Sequence, residues 1–172
     1  MRLSRIFFNR PTLIVAKELL GKYLCRRIKG KVIKVKIIET EAYCGISDLA
    51  CHASKGLTPR TKVMFGPPGH AYIYMIYGMY HCLNFVTEKE GNPSAVLIRK
   101  VENLKGPGIL CRELKIDRRL NGIDLMVNNK LWMEDNGEVA KQSKIKKGKR
   151  VGVDYAGKWK DKLWRFYIDG YK

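Results

Sequence analysis

The stretch KYLCRRIKGKVIKVKIIETEAY, residues 22–43, is rich in β-branched residues and contains a single glycine, at Lys29-Gly30. Such side chains suit a pleated, half-buried surface, and a Lys-Gly pair between two runs of them marks a turn, so the stretch reads as a hairpin of two strands. Side chains alternate along a strand. Val35, Ile37, Glu39, Glu41 and Tyr43 are therefore expected on one face of the second strand, and Lys34, Lys36, Ile38, Thr40 and Ala42 on the other. The first face begins apolar and ends in two carboxylates. A carboxylate in such a row is costly to desolvate, and it persists where it is hydrogen-bonded, paired with a cation or needed for chemistry. Glu39 and Glu41 are candidates for a general base, beside the plainer readings of a structural ion pair or a strand end reaching water. The paired carboxylates of O-glycosidases flank a bond from opposite sides. Neighbours two apart on a strand point the same way, which suits one base and one water.

Upstream, Asn9 before Arg10-Pro11 reads as an N-cap with an early helical proline, and Leu13, Ala16, Leu19 and Leu20 continue a core-facing helix closed by Gly21. Downstream, residues 44–70 are rich in Gly, Pro, Ser and Thr and read as an ordered loop with one helical turn after Ser47 and another after Thr58. Loops of this length are often functional. YIYMIYGMYHCLN (72–84) reads as a second hairpin, with strands 71–77 and 80–87 around a type II′ loop at Gly78-Met79 and with Tyr77 facing Tyr80 beside the tip. Tyr72 and Tyr74 share one face and Tyr77 lies on the other, so these rings cannot all fill one core. A ring projecting from the turn would suit a wedge between base steps, and rings on the other face could stack on an unpaired base. The plainer reading is a strand pair with packed rings and surface hydroxyls.

SAVLIRKV (94–101) reads as a strand, GPGILCRELKI (106–116) as a short helix with Pro107 in its first turn, and LWRFYIDG (163–170) as a terminal strand. KQSKIKKGKR (141–150) carries six positive charges and reads as a solvated basic loop. Strands before and between short helices, without βαβ alternation, imply an α+β fold: a largely antiparallel, curved sheet with short helices and a protruding hairpin. The 172 residues, 45% of them hydrophobic, suit a single domain over 1–172.

Lysine and arginine number 34 against 16 aspartate and glutamate, a net charge of +18. That excess points to a polyanion, either nucleic acid or an anionic membrane surface. No stretch approaches the roughly 18–20 apolar residues of a membrane span, and no cleavable signal begins the chain, so an intracellular protein is expected. Five cysteines without a CxxC pair signal neither disulfides nor a metal cluster, and free, mostly buried thiols are expected. Taken singly, His52, Asn84 and Arg99 read as a loop residue, a strand-end residue and an ion-pair partner.

The order of motifs is more specific than any one of them: IIETEAYCG, DLACHASKGLTPRTKVMF, PPGHAYIYMIYGMYHCLN, AVLIRKVE, GPGILCRELKI and KRVGVDYAGKWKDKLWRFYIDG. The series resembles the alkyladenine (3-methyladenine) DNA glycosylase family, in order, over nearly the whole chain. The resemblance implies hydrolysis of the N-glycosidic bond of damaged purines (3-methyladenine, 7-methylguanine, hypoxanthine, ethenoadenine) in double-stranded DNA. It implies no metal and no organic cofactor. Glu41 would activate the attacking water, helped by Arg99 and the backbone carbonyl of Val151. Tyr77 would enter the duplex where the flipped nucleotide had been, with Met79 beside it. Tyr43 and Tyr74 would sandwich the base, His52 would contact base and backbone, and Asn84 would sit where a purine 2-amino group projects. Tyr72 and Tyr80 are left to packing. A monomer bound to DNA and not to membrane is expected, in the cytoplasm and nucleoid or in a nucleus. The family's larger members carry an insertion before the helix that begins here at GPG, and an N-terminal extension; this chain passes directly from VENLK into that helix.

Two other readings follow from the residues. One of the many lysines could attack the sugar as a Schiff-base nucleophile, making a glycosylase with lyase activity. Alternatively the tyrosines could be stacking platforms of a non-catalytic nucleic-acid-binding protein.

Overall fold

The computed structural model describes residues 1–137, 140 and 144–171. Lys29 and Gly30 have φ of 47° and 80°, the two positive values that a type I′ hairpin turn requires. The turn joins β1 (Tyr23–Ile28) to β2 (Lys31–Cys44) in the expected antiparallel register. β2 is long enough to serve two neighbourhoods. Residues 31–36 pair with β1, while the second half pairs with β5 (Ser94–Val101) on one side and β9 (Arg165–Ile168) on the other. A curled antiparallel sheet runs β3-β4-β5-β2-β1-β7, with β3 (Ala71–Ile76), β4 (Tyr80–Thr87) and β7 (Leu131–Glu134). The short β6 (Leu104–Lys105) and β8 (Ile145–Gly148) pair with β5 and β9. The helices are α1 (Arg5–Phe8), α2 (Thr12–Glu18) and α3 (Pro107–Glu113). The α+β expectation holds.

Alternation divides the apolar residues between two sides of the sheet. Ala71, Ile73, Leu83, Phe85, Val96 and Ile98 enter the main core with Val15, Ala16, Leu19 and Leu110 from the helical segments. Tyr72, Val86 and Ala95 enter a second, smaller cluster with Cys51, Ala53 and Met64 of the long loop. The buried Thr40 hydroxyl donates to the Ala16 carbonyl at 2.8 Å, tying β2 to α2.

Several local expectations are corrected. Val35 and Ile37 do not share a continuous row with Glu39 and Glu41: they pack in the main core together with Ile38 and Ala42. Register shifts between Ile37 and Glu39 and between Glu39 and Thr40 reset the alternation, as a bulge does. Asn9 caps the C-terminus of α1, and Pro11 is the N-cap of α2. The two helical turns of the 44–70 loop lie a few residues later than expected, at His52–Lys55 and Lys62–Phe65. The tyrosine hairpin pairs Ile76 with Tyr80, so its loop has three residues, with Tyr77 inside it at φ 52° instead of opposite Tyr80. In the basic segment 141–150, residues 141–143 lie outside the described residues; the rest is not simply solvated, since 145–148 form a strand and Arg150 is buried. The five thiols are free, four buried and Cys44 partly so.

Tyr80 packs on α3 where the helix carries no side chain. A Cβ added to Gly108 would meet the Tyr80 Cδ1 at 2.8 Å and its Cγ at 3.0 Å. Gly108→Ala is expected to destabilise the protein by about 1–3 kcal/mol through overpacking. In a Tyr80→Ala background the same change should become neutral or stabilising, because alanine is the better helix former. Urea unfolding of the four proteins tests this reversal of sign.

Candidate active site

On the sheet face opposite the main core, beneath the 44–70 loop and the 150–155 segment, lies a cavity of about 350 Å³. β2 and β5 supply its charged groups. The Glu41 side chain has no solvent exposure. Its Oε1 accepts the Val151 backbone N–H at 2.9 Å, its Oε2 accepts the Tyr43 hydroxyl at 2.7 Å, and Arg99 Nη1 lies 3.4 Å from Oε1. Burial pushes the Glu41 carboxyl above the usual range, against the pull of Arg99, Tyr43 and the Val151 amide. Glu39, also buried, is held by three cations: Arg99 Nε at 3.1 Å, Lys100 Nζ at 2.7 Å and Arg165 Nη1 at 3.1 Å. Burial raises its pKa, but hydrogen bonds from Lys100 and Arg165 outweigh this and leave it below the ordinary value. Two carboxylates two residues apart are thus driven in opposite directions, and Arg99 touches both. Carboxylates whose surroundings push their pKa values apart are candidates for different chemical roles.

A buried ion pair fixes the segment that supplies the Val151 amide. Arg150 donates to Asp48 from both terminal nitrogens, at 2.6 and 2.9 Å, and to the carbonyls of Ala42 and Trp159 at 2.9 and 3.1 Å. Neither side chain of the pair is exposed. Asp48 also accepts the backbone N–H groups of Cys44 and Ala50, so one pair ties together β2, the start of the long loop and the 150s.

The cavity walls are aromatic. Tyr43, Tyr72, Tyr74 and His52 all line it. His52 Nδ1 and the Tyr72 hydroxyl are 2.9 Å apart, and the His52 ring meets Tyr74 edge-on at 4.5 Å between centroids. Burial, with the charge of Arg60, lowers the His52 pKa to about 4, so the ring is neutral at neutral pH. Asn84 lines the cavity while its amide nitrogen donates to the Tyr72 carbonyl at 3.0 Å.

Of the residues singled out from sequence, Tyr43, His52, Tyr74 and Asn84 meet at one cavity with Arg99 and Val151, and Glu41 lies behind them, hydrogen-bonded to two of its lining residues. Val151 presents its N–H, not its carbonyl, to Glu41. Tyr77 stands at the rim, 88% exposed, and Met79 lies outside the cavity, 66% exposed. Tyr72, assigned only to packing, lines the cavity and holds His52. Asp48, Arg150, Arg60 and Tyr155 carried no sequence signal of their own. Arg150 was masked by the surrounding basic run, and Asp48 in ISDLA had only the look of a turn aspartate. Among the described residues no group of His, Cys, Asp and Glu could hold a metal ion, and no helix is long and apolar enough to cross a membrane.

The model of the family described as Methylpurine-DNA glycosylase (MPG) matches residues 6–105 and 101–172. Similar proteins come from Methanocella arvoryzae (49% identical over 185 residues; 96% of this chain, 91% of the relative) and Legionella pneumophila strain Corby (52% over 175; 97% and 94%). Another, from Desulfitobacterium hafniense strain Y51, is 44% identical over 196 residues, covering 98% of this chain and 95% of its own. All three bear the name "Putative 3-methyladenine DNA glycosylase".

The Asp48–Arg150 pair sets an expectation of its own. Asp48→Ala strands a buried guanidinium and should cost about 3–5 kcal/mol in chemical denaturation. A loss comparable to that of an exposed pair would mean that the 150s segment is held by something else.

Proposed function

The chain belongs to the methylpurine-DNA glycosylase family and is a monofunctional DNA-3-methyladenine glycosylase whose substrate is DNA; on that premise we propose that it flips damaged purines out of the duplex and releases them with a water activated by Glu41. The observation that carries the reading is the contrast between the two carboxylates of β2. Glu39 is held by three cations, whereas Glu41, beside the aromatic cavity, has its pKa raised by burial. Ionised Glu41 takes a proton from water as the water oxygen bonds to the anomeric carbon. The glycosidic electron pair leaves with the base, and an abasic sugar remains. Negative charge at Glu41 also stabilises the positive character that develops on the sugar. Arg99 and the Val151 carbonyl assist at the water.

Tyr43 and Tyr74 stack on the extruded base, which is 3-methyladenine, 7-methylguanine, hypoxanthine or ethenoadenine. His52 contacts base and backbone, and Asn84 crowds the 2-amino group of normal guanine. Tyr77 enters the duplex in the vacated place, with Met79 beside it; the exposure of both residues supports this assignment. Damaged, weakly paired bases are cheaper to flip, which adds to selectivity. The charge of +18 supplies sequence-independent phosphate binding, so affinity falls steeply with salt. The protein works as a single domain and a monomer.

A duplex with one hypoxanthine tests the reading. Strand breakage is expected only after alkali, because hydrolysis leaves an abasic site and no nick; with hypoxanthine left intact, methylated purines are tried in the same format. Glu41→Gln should abolish base release and still bind lesion DNA, and a mutant that releases base normally would remove Glu41 from the mechanism. The pH profile follows from the raised pKa. The working form is the carboxylate, so activity is lost as pH falls through a pKa above the ordinary glutamate value of 4.5. A single-turnover profile whose acid limb lies below that value would point to another group.

A further inference from the structure

Both tyrosines that flank the proposed base position carry a guanidinium over the ring. Arg150 Cζ lies 4.8 Å from the Tyr43 centroid, and Arg60 Cζ lies 5.1 Å from the Tyr74 centroid. Neither arginine lines the cavity. The two differ in compensation. Arg150 is neutralised by Asp48, whereas Arg60 forms no salt bridge among the described residues. Arg60 also acts on its neighbours here: its charge is felt at His52 and Tyr72.

The two faces of a tyrosine share one π system. A cation over one face draws on the same electron density that would attract a cation on the other, and the two positive charges repel directly. Electron-rich tyrosines alone would favour cationic bases. With Arg60 over Tyr74, that preference is offset, while a neutral base loses little. We propose that Arg60 is a specificity-determining residue that offsets the pocket's preference for cationic purines, 3-methyladenine and 7-methylguanine, relative to neutral ones such as hypoxanthine. The inference rests on the reading that Tyr74 stacks on the released base.

Arg60 is exposed, so it can be replaced without opening the core. The experiment compares single-turnover release of 7-methylguanine and of hypoxanthine from duplexes of otherwise identical sequence, after subtraction of spontaneous depurination. Wild type, Arg60→Gln and Arg60→Lys are measured at one ionic strength. Arg60→Gln is expected to raise the ratio of 7-methylguanine to hypoxanthine release about two- to five-fold, the size of an exposed cation–π effect, and Arg60→Lys to keep the ratio near that of wild type. If both bases are released by wild type and Arg60→Gln slows them in equal proportion, Arg60 serves DNA binding alone and the inference is overturned while the base-release reading stands. If wild type releases neither base, the underlying reading fails and takes the inference with it.

Discussion

A glutamate with no solvent exposure is the constraint around which the site is built. Removing a carboxylate from water costs several kcal/mol even after local relaxation, and a backbone N–H, a phenol hydroxyl and a guanidinium offset part of that cost at Glu41. Two of those three donors come from distant parts of the chain. Tyr43 is supplied by β2 itself, Arg99 by β5, and the Val151 amide by a segment 110 residues away from Glu41. The sheet must therefore pair β2 with β5, and the 150s must be pinned over the strand end. The Asp48–Arg150 pair does the pinning, and its own burial is tolerated because both charges are closely hydrogen-bonded.

The same economy explains where four of the 34 cations go. Arg99, Lys100 and Arg165 converge on Glu39, and Arg150 is consumed by Asp48. These cations serve carboxylates that the net charge of +18 already subtracts, so nearly all of the positive excess is carried by the other lysines and arginines. Arg60 is different in kind, lying over an aromatic wall of the cavity with no salt bridge among the described residues.

Local chemistry made the two hairpins readable. β-branched runs, a Lys-Gly turn and period-two alternation are properties of neighbouring residues, and they correctly placed Tyr72 and Tyr74 on one face. Pro107 marked the start of α3 for the same reason. The bulge near Glu39 was not readable, because it depends on how β5 and β9 meet β2 from both sides. Nor was Arg150 separable from its basic neighbours, since its partner lies 102 residues away. Glu41 stood out as a carboxylate in an apolar row, but choosing it over Glu39 required either the family resemblance or the partners that only the fold supplies.

At the hairpin tip, folding energetics alone leaves a cost unexplained. A non-glycine residue in the left-handed region costs about 1–2 kcal/mol, and Tyr77 sits there at φ 52°. Its ring is 88% exposed, so burial returns almost nothing. An asparagine or glycine would fit the turn at lower cost. The remainder of the hairpin is firmly placed: Tyr72 and Tyr74 are packed in the second cluster, and Tyr80 rests on the bare backbone of α3 at Gly108. A rigid base under a strained, solvated ring is a poor arrangement for stability and a good one for presenting that ring to a partner. If Tyr77 fills the gap in the duplex, the free energy of stacking against bases is recovered only on DNA, and the strain is the cost of having the ring already in position.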